Sequence, residues 1–321
     1  MRYSSTIIIA VLLFMACSSK GPEGTTTEQA KGGDIHADFQ PSQAFKDYWY
    51  QGKAELNRFE LTQGRYGQQR KGEAVMVFVT EDFFTDKQVK YEQGDESKTT
   101  SVLKLNFLRR FATGMYDYSM MSSIFTPVEL AKYPRTLKVS TSSQDWCGHS
   151  YFQLNFRNDN YQLTGHSYFQ DEVREDRSLK PALLEDEIWT RLRIAPNTLP
   201  TGEIKVIPGT MFDRLKHIEL KPLKANARME AYKGDVFSGN DLKVYKIFYK
   251  ELNRTLAIVF EEAEPHRIQG WEETYKSGFG SDAREITTRG KRTNTVVTDY
   301  WTKNGLQDST LRQKLGITGF D

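Results

Sequence analysis

Residues 144–173 read QDWCGHSYFQLNFRNDNYQLTGHSYFQDEV, and Gly-His-Ser-Tyr-Phe-Gln stands in them twice, at 148–153 and at 165–170. Between the copies lies Asn158-Asp159-Asn160. Asn and Asp tolerate left-handed backbone, so a two-residue turn at Asp159-Asn160 predicts an antiparallel hairpin. In that register Tyr151 faces Tyr168, Gln153 faces His166, His149 faces Gln170 and Cys147 faces Glu172, all on one side because strand side chains alternate. The other side carries Phe152, Leu154, Phe156, Leu163 and Phe169. One apolar and one polar face mark a half-buried hairpin, and a one-residue slip would scramble both. Tyr151, Gln153, His166, Tyr168, Gln170 and Glu172 form the candidate ligand-binding surface on the polar side, next to Cys147 and His149.

The same period-two pattern extends in both directions. Ala54–Leu61, Val102–Phe111 and Thr136–Ser140 read as strands, and Glu73–Thr80, apolar on both faces, reads as a central strand covered on both sides. Later runs lie at 204–207, 218–223, 242–250, 255–261, 268–275, 284–288 and 295–301, with turn signals at Gly234-Asp235, Gly239-Asn240 and Gly278-Phe279-Gly280. Helices are expected at 43–50 behind Ser42, at 181–193 and at 309–315. The middle one has a Leu184, Ile188, Leu192 stripe, with acids at its N-terminal end and Arg191 and Arg193 at its C-terminal end, as the helix dipole favours. The expectation is a mainly β protein: a large curved antiparallel sheet or open β-barrel of roughly a dozen strands with a few peripheral helices. The pattern breaks at 197–202, so two packed β halves, 43–195 and 202–321, are the alternative.

Lys plus Arg number 44 against 42 Asp plus Glu, a formal charge of +2 that does not favour nucleic acid as a partner. Arg2 precedes an apolar run, Ile7–Ala16, that is too short to cross a bilayer and fits the central region of a secretory signal. Ala16-Cys17 resembles the lipobox of bacterial lipoproteins, which implies a signal peptide over 1–16, lipidation (palmitate) of Cys17 and a membrane anchor. Ser18, in place of the aspartate of inner-membrane retention, favours the outer membrane. Residues 17–42, rich in Gly, Ser, Thr and charge, read as a flexible tether of ~25–30 Å, leaving a β-rich domain over 43–321. With Cys17 acylated, Cys147 has no partner within the chain.

Cys147 and His149, two apart on a strand, would share a face where imidazole could activate a thiol. A cysteine sheltered by the helix or by Trp146 is the favoured reading. His149 and His166 lie too far apart in the expected register, roughly 13 Å, to share an ion, so no metal is expected. Glu185-Asp186-Glu187 is accounted for by the helix dipole, and Tyr116, Tyr118, Met120 and Met121 by core packing, with a ligand cavity as the lesser reading. Phosphate-binding loops, His-Glu-x-x-His and Gly-x-Ser-x-Gly do not occur. The expected function is a non-enzymatic periplasmic lipoprotein, without a cofactor, that binds an envelope lipid, glycan or partner protein in the concavity of its sheet. The alternative is a hydrolase or transferase using Cys147 and His149.

Phe78-Val79-Thr80-Glu81-Asp82-Phe83, Thr113-Gly114-Met115-Tyr116-Asp117-Tyr118-Ser119-Met120-Met121, Gln144-Asp145-Trp146-Cys147-Gly148-His149, Leu184-Glu185-Asp186-Glu187-Ile188-Trp189 and Leu199-Pro200-Thr201-Gly202 resemble a family of Gram-negative envelope lipoproteins without an established activity. The resemblance covers most of the chain beyond Cys17. Members of that family are often labelled "septum formation inhibitor Maf". True Maf proteins are similar to nucleotide pyrophosphatases and carry Ser-x-Ser-x-Arg-Arg. That motif is missing here: the only adjacent arginines, Arg109-Arg110, follow Asn106-Phe107-Leu108.

Overall fold

A computed structural model describes residues 38–170 and 176–317. The expected signal peptide, Cys17, most of the expected tether and Glu172 lie outside the described residues. The first eight strands are β1 (Ala54–Arg65), β2 (Gln68–Phe84), β3 (Thr99–Thr113), β4 (Tyr116–Pro127), β5 (Lys138–Asp145), β6 (Gly148–Arg157), β7 (Asn160–Ser167) and β8 (Asp176–Leu179). Seven more complete the set: β9 (Leu183–Leu184), β10 (Gly202–Ile207), β11 (Leu223–Ala231), β12 (Leu242–Tyr249), β13 (Arg254–Glu261), β14 (Ile268–Ser277) and β15 (Arg284–Thr298).

All of them join one 15-stranded sheet in the order β8-β7-β6-β5-β4-β3-β2-β1-β15-β14-β13-β12-β11-β10-β9. Strands from both sides of residues 195–202 therefore share one sheet, joined where β1 pairs with β15. Among the described residues every strand pairing is antiparallel except β9 with β10. The sheet is open, yet its edge strands β8 and β9 are neighbours in sequence. The four residue steps from Leu179 to Leu183 span at most ~14 Å, so the sheet must curl until its edges nearly meet.

Among the described residues four α-helices accompany it: α1 (Gln43–Trp49), α2 (Glu185–Ile194), α3 (Thr210–Lys216) and α4 (Thr310–Leu315). Ser42 Oγ accepts from Phe45 N at 2.9 Å, capping α1 as its sequence predicts. Every residue of α2 is buried. Trp189 meets Phe107 on β3 and Trp271 on β14 edge-on, at 5.2 and 5.6 Å between centroids. A helix touching strands from opposite arms of the sheet lies inside its curve. The concavity expected to receive a ligand is thus filled by α2, α3 and the apolar core.

Several local expectations are corrected. The 158–160 turn closes at Asn158-Asp159, whose φ values of 49° and 56° meet the positive-φ requirement of a type I′ turn. Tyr151 consequently stands opposite His166 and Gln153 opposite Thr164. The displacement is an even number of residues, so the two faces keep their composition: Phe152, Leu154 and Leu163 are buried. The helix expected over 181–193 begins at Glu185, because Leu183–Leu184 pair with β10. Of the run at 218–223, residues 218–222 are a connection and Leu223 opens the strand β11. Before it, Met211, Phe212 and Leu215 build the buried side of α3, a short helix that the β-rich surroundings concealed. The run at 284–288 and the start of the run at 295–301 belong to one strand, β15, which ends at Thr298 and whose polar centre is held by backbone pairing with β1 and β14.

Candidate functional site

The polar face of the β5–β7 region points outward from the sheet. Cross-strand pairing sets Ser142, Tyr151 and His166 in one row and Ser140, Gln153 and Thr164 in the next. Gln144 stands opposite His149, and Tyr168 N donates to His149 O at 3.1 Å, extending the hairpin beyond β7. Along β6 a chain of hydrogen bonds fixes the amides: Tyr151 Oη donates to Gln153 Oε1 at 2.5 Å, Gln153 Nε2 to Asn155 Oδ1 at 2.6 Å, and Asn155 Nδ2 to Gln88 Oε1 at 2.6 Å. Tyr151 is 36% and Tyr168 72% exposed. The Tyr168 ring lies over Gly148, where a Cβ would come within 2.7 Å of it. His149, His166 and Gln170 are exposed. Of the Lys, Arg, Asp and Glu residues on this outer face of β5–β7, Lys138 and Arg157 both lie toward the Asn158-Asp159 turn. Among the described residues the rest of the strip carries no lysine, arginine or carboxylate. It offers flat aromatic rings with pre-set donors and acceptors beside them.

Cys147 is not on a strand. With Trp146 it forms the turn between β5 and β6, where Asp145 Oδ1 accepts from Cys147 N at 2.7 Å and from Gly148 N at 3.2 Å. The thiol is exposed, so the sheltered cysteine is overturned, and so is the face it was expected to share with His149. The cause is local, because Asp145 caps a tight turn at the position read as strand. The other carboxylate oxygen of Asp145 lies 3.5 Å from Arg214 on α3, and Arg214 stacks on Phe169 at 4.6 Å. Through these contacts α3 braces the strip from behind. No group of three or more metal-ligating side chains occurs among the described residues.

The acidic start of α2 is not a solvated helix end. Its carboxyls are buried and each is hydrogen-bonded from another element, as burial of polar groups requires. Glu185 accepts from both terminal nitrogens of Arg254, at 2.5 and 2.6 Å, and from Tyr249 Oη at 2.7 Å. Arg254 Nε reaches Glu273 at 2.8 Å, and Arg109 lies 3.7 Å from the other Glu273 oxygen. Glu187 accepts from the backbone of Leu184 and of Thr136, both at 3.1 Å. At the far end of α2, Arg193 forms a two-pronged pair with Glu55 at 2.7 and 2.9 Å. Burial pushes the Glu55 carboxyl up, but the Arg193 charge and its hydrogen bonds, with those of Tyr48 and Asn57, outweigh it and hold the group at about 2. Among the described residues Asp186 has only Thr210 N and Oγ1 as donors, at 3.0 and 3.1 Å. Burial therefore dominates, and with the nearby Glu185 charge it raises this carboxyl to about 7. The adjoining cavity, ≈20 Å³ between Arg109, Ser122, Asp186, Gly209 and Glu273, has room for one water and for no substrate. These groups lock α2 into the sheet. The helical period exposed the Leu184–Leu192 stripe, whereas the answering charges lie on β1, β13 and β14, far away in sequence.

No family model matches the chain, and neither a curated protein nor a solved structure matches it.

Proposed function

We propose that this chain is a non-enzymatic lipoprotein, anchored in the outer membrane through acylated Cys17 and facing the periplasm, that binds a neutral glycan on the outer face of β5–β7. The observation carrying the reading is the composition of the strip: exposed Tyr151 and Tyr168 beside an ordered row of amides and hydroxyls, with Lys138 and Arg157 set toward one end. Sugar rings present apolar C–H faces that stack on aromatic side chains, and hydroxyls that pair with amides. A lipid chain would need an apolar cavity, and the concave side is filled. The anchor rests on Arg2, the Ile7–Ala16 run and Cys17. The hydrolase or transferase reading has less behind it, since no hydrogen bond reaches Cys147 Sγ among the described residues.

Calorimetry with neutral oligosaccharides, beginning with a tetramer of N-acetylglucosamine, tests the strip. Tyr151→Ala and Tyr168→Ala should each weaken binding about tenfold, equivalent to ~1.4 kcal/mol, while thermal unfolding stays close to wild type because both rings are exposed. Failure of every neutral oligosaccharide to bind the wild type would refute the glycan assignment. Metabolic labelling with palmitate tests the anchor, and label persisting in Cys17→Ala would exclude acylation at that site.

A further inference from the structure

An antiparallel meander returns alternate turns to the same end of its sheet. The turns at Tyr66-Gly67, Gly114-Met115, Trp146-Cys147 and 278–283 therefore share one end. The C-terminus of α3 reaches it too: Leu215 O accepts from Arg65, and Lys216 Nζ donates to Lys276 O at 2.8 Å. Between these elements lies a cavity of ≈40 Å³ lined by Arg65, Tyr66, Lys216, Tyr275, Ser277 and Phe279. That is several times the ~10–15 Å³ needed by one water.

Arg65 is only 7% exposed. Its terminal nitrogen donates to Tyr66 Oη and Tyr118 Oη, both at 3.0 Å, and its guanidinium lies 4.2 Å from the Tyr66 ring centroid. Four other buried arginines have a carboxylate: Arg193 has Glu55, Arg254 has Glu185 and Glu273, Arg109 has Glu273 and Arg214 has Asp145. Among the described residues no carboxylate pairs with Arg65, whose buried Nε also lacks an acceptor. Half-buried Lys216 adds a second cation; burial, with the charges of Arg65 and Lys276, holds its ammonium below the usual lysine range. A buried guanidinium with a second cation beside it and no anion is costly, and an anion in the adjacent cavity would remove that cost.

We propose that this cavity is an oxyanion site that takes a phosphate group, with Arg65 and Lys216 as its charged donors and the tyrosine hydroxyls and Ser277 as neutral partners. Phe279, 74% exposed, stands at its mouth, and Met115 (80%), Trp146 (68%) and Tyr168 (72%) are exposed at the same end of the sheet. Phe279, Met115 and Trp146 suit the interfacial region of a bilayer, where a phosphate would be presented by a lipid headgroup.

Calorimetry on the full-length chain in detergent, titrated separately with inorganic phosphate and with dihexanoyl phosphatidylglycerol, tests the site. At least one should bind with one-to-one stoichiometry, and Arg65→Gln and Lys216→Gln should each weaken it tenfold or more. Lys216→Gln guards against misfolding as the cause, since this side chain is half-buried and should leave the unfolding temperature unchanged. If the source is a lipid headgroup, Phe279→Ala weakens the phosphatidylglycerol titration alone; if it is soluble phosphate, Phe279→Ala alters neither titration. Absence of binding by both probes, or binding that Lys216→Gln leaves unaltered, overturns the proposal.

Discussion

Asp186 and Glu55 are both buried carboxylates, and their contrast shows how much partners decide at the scale of one residue. Glu55 faces a two-pronged arginine and is held at about 2; Asp186 faces one backbone amide and one hydroxyl and rises to about 7. The consequences for stability have opposite signs. Glu55 contributes stability that is fully present above its ordinary value of 4.5 and is lost as pH falls toward 2. Asp186 in the folded chain keeps a proton that the unfolded chain releases above 3.8, so its contribution declines as pH rises from there to about 7. Asp186→Asn, which cannot ionise, should remove that decline, gaining up to ~4 kcal/mol on wild type between pH 4 and pH 8. Urea unfolding over this range measures it, and parallel curves for the two proteins would show that Asp186 does not titrate there. The identities of both carboxylates were plain in the sequence. Their environments were not, because Arg193, Thr210 and Arg109 are brought to them only by folding.

For the elements, alternation was a good guide to which residues form strands and which face they use, as at Leu103, Leu105, Phe107 and Phe111, all buried. It was a poor guide to register. The hairpin shows why: Asn158, Asp159 and Asn160 all suit a turn, and backbone geometry selects the pair with φ above zero. β15 shows a second limit, since its polar middle carries no period yet pairs along its length. At its centre Gly290 lies opposite Trp271, and a Cβ there would sit 2.1 Å from the indole. Trp271 is fully buried between Phe59, Phe107 and Trp189. Gly290→Ala must therefore displace the ring or part β14 from β15, and should cost about 3 kcal/mol or more. Chemical unfolding monitored by tryptophan fluorescence reads this directly; an unfolding midpoint equal to wild type would mean that the ring yields freely.

In the whole molecule, the sheet curls around α2 until its edges are joined by three residues, 180–182. A helix sealed in this way cannot expose its amides unless the sheet opens. Hydrogen exchange followed by mass spectrometry should place Glu187–Leu192 among the slowest-exchanging segments, with the central strands β1–β3, and residues 168–170 among the fastest. Fast exchange across α2 would mean that the helix leaves the interior without global unfolding. The doubled Gly-His-Ser-Tyr-Phe-Gln motif supports a similar division. Its polar and apolar faces followed from the residues alone, because side-chain alternation is a property of any extended strand. Likewise the mainly β character, the capped α1 and the apolar stripe of α2 needed only local periodicity. Tertiary structure alone decided that the concave side is filled, that the acids of α2 meet Arg254 and Thr210, and that Arg65 is buried with no carboxylate partner among the described residues. Each of these depends on pairing between segments far apart in the chain, and the energy of a buried charge is set by whatever folding brings next to it.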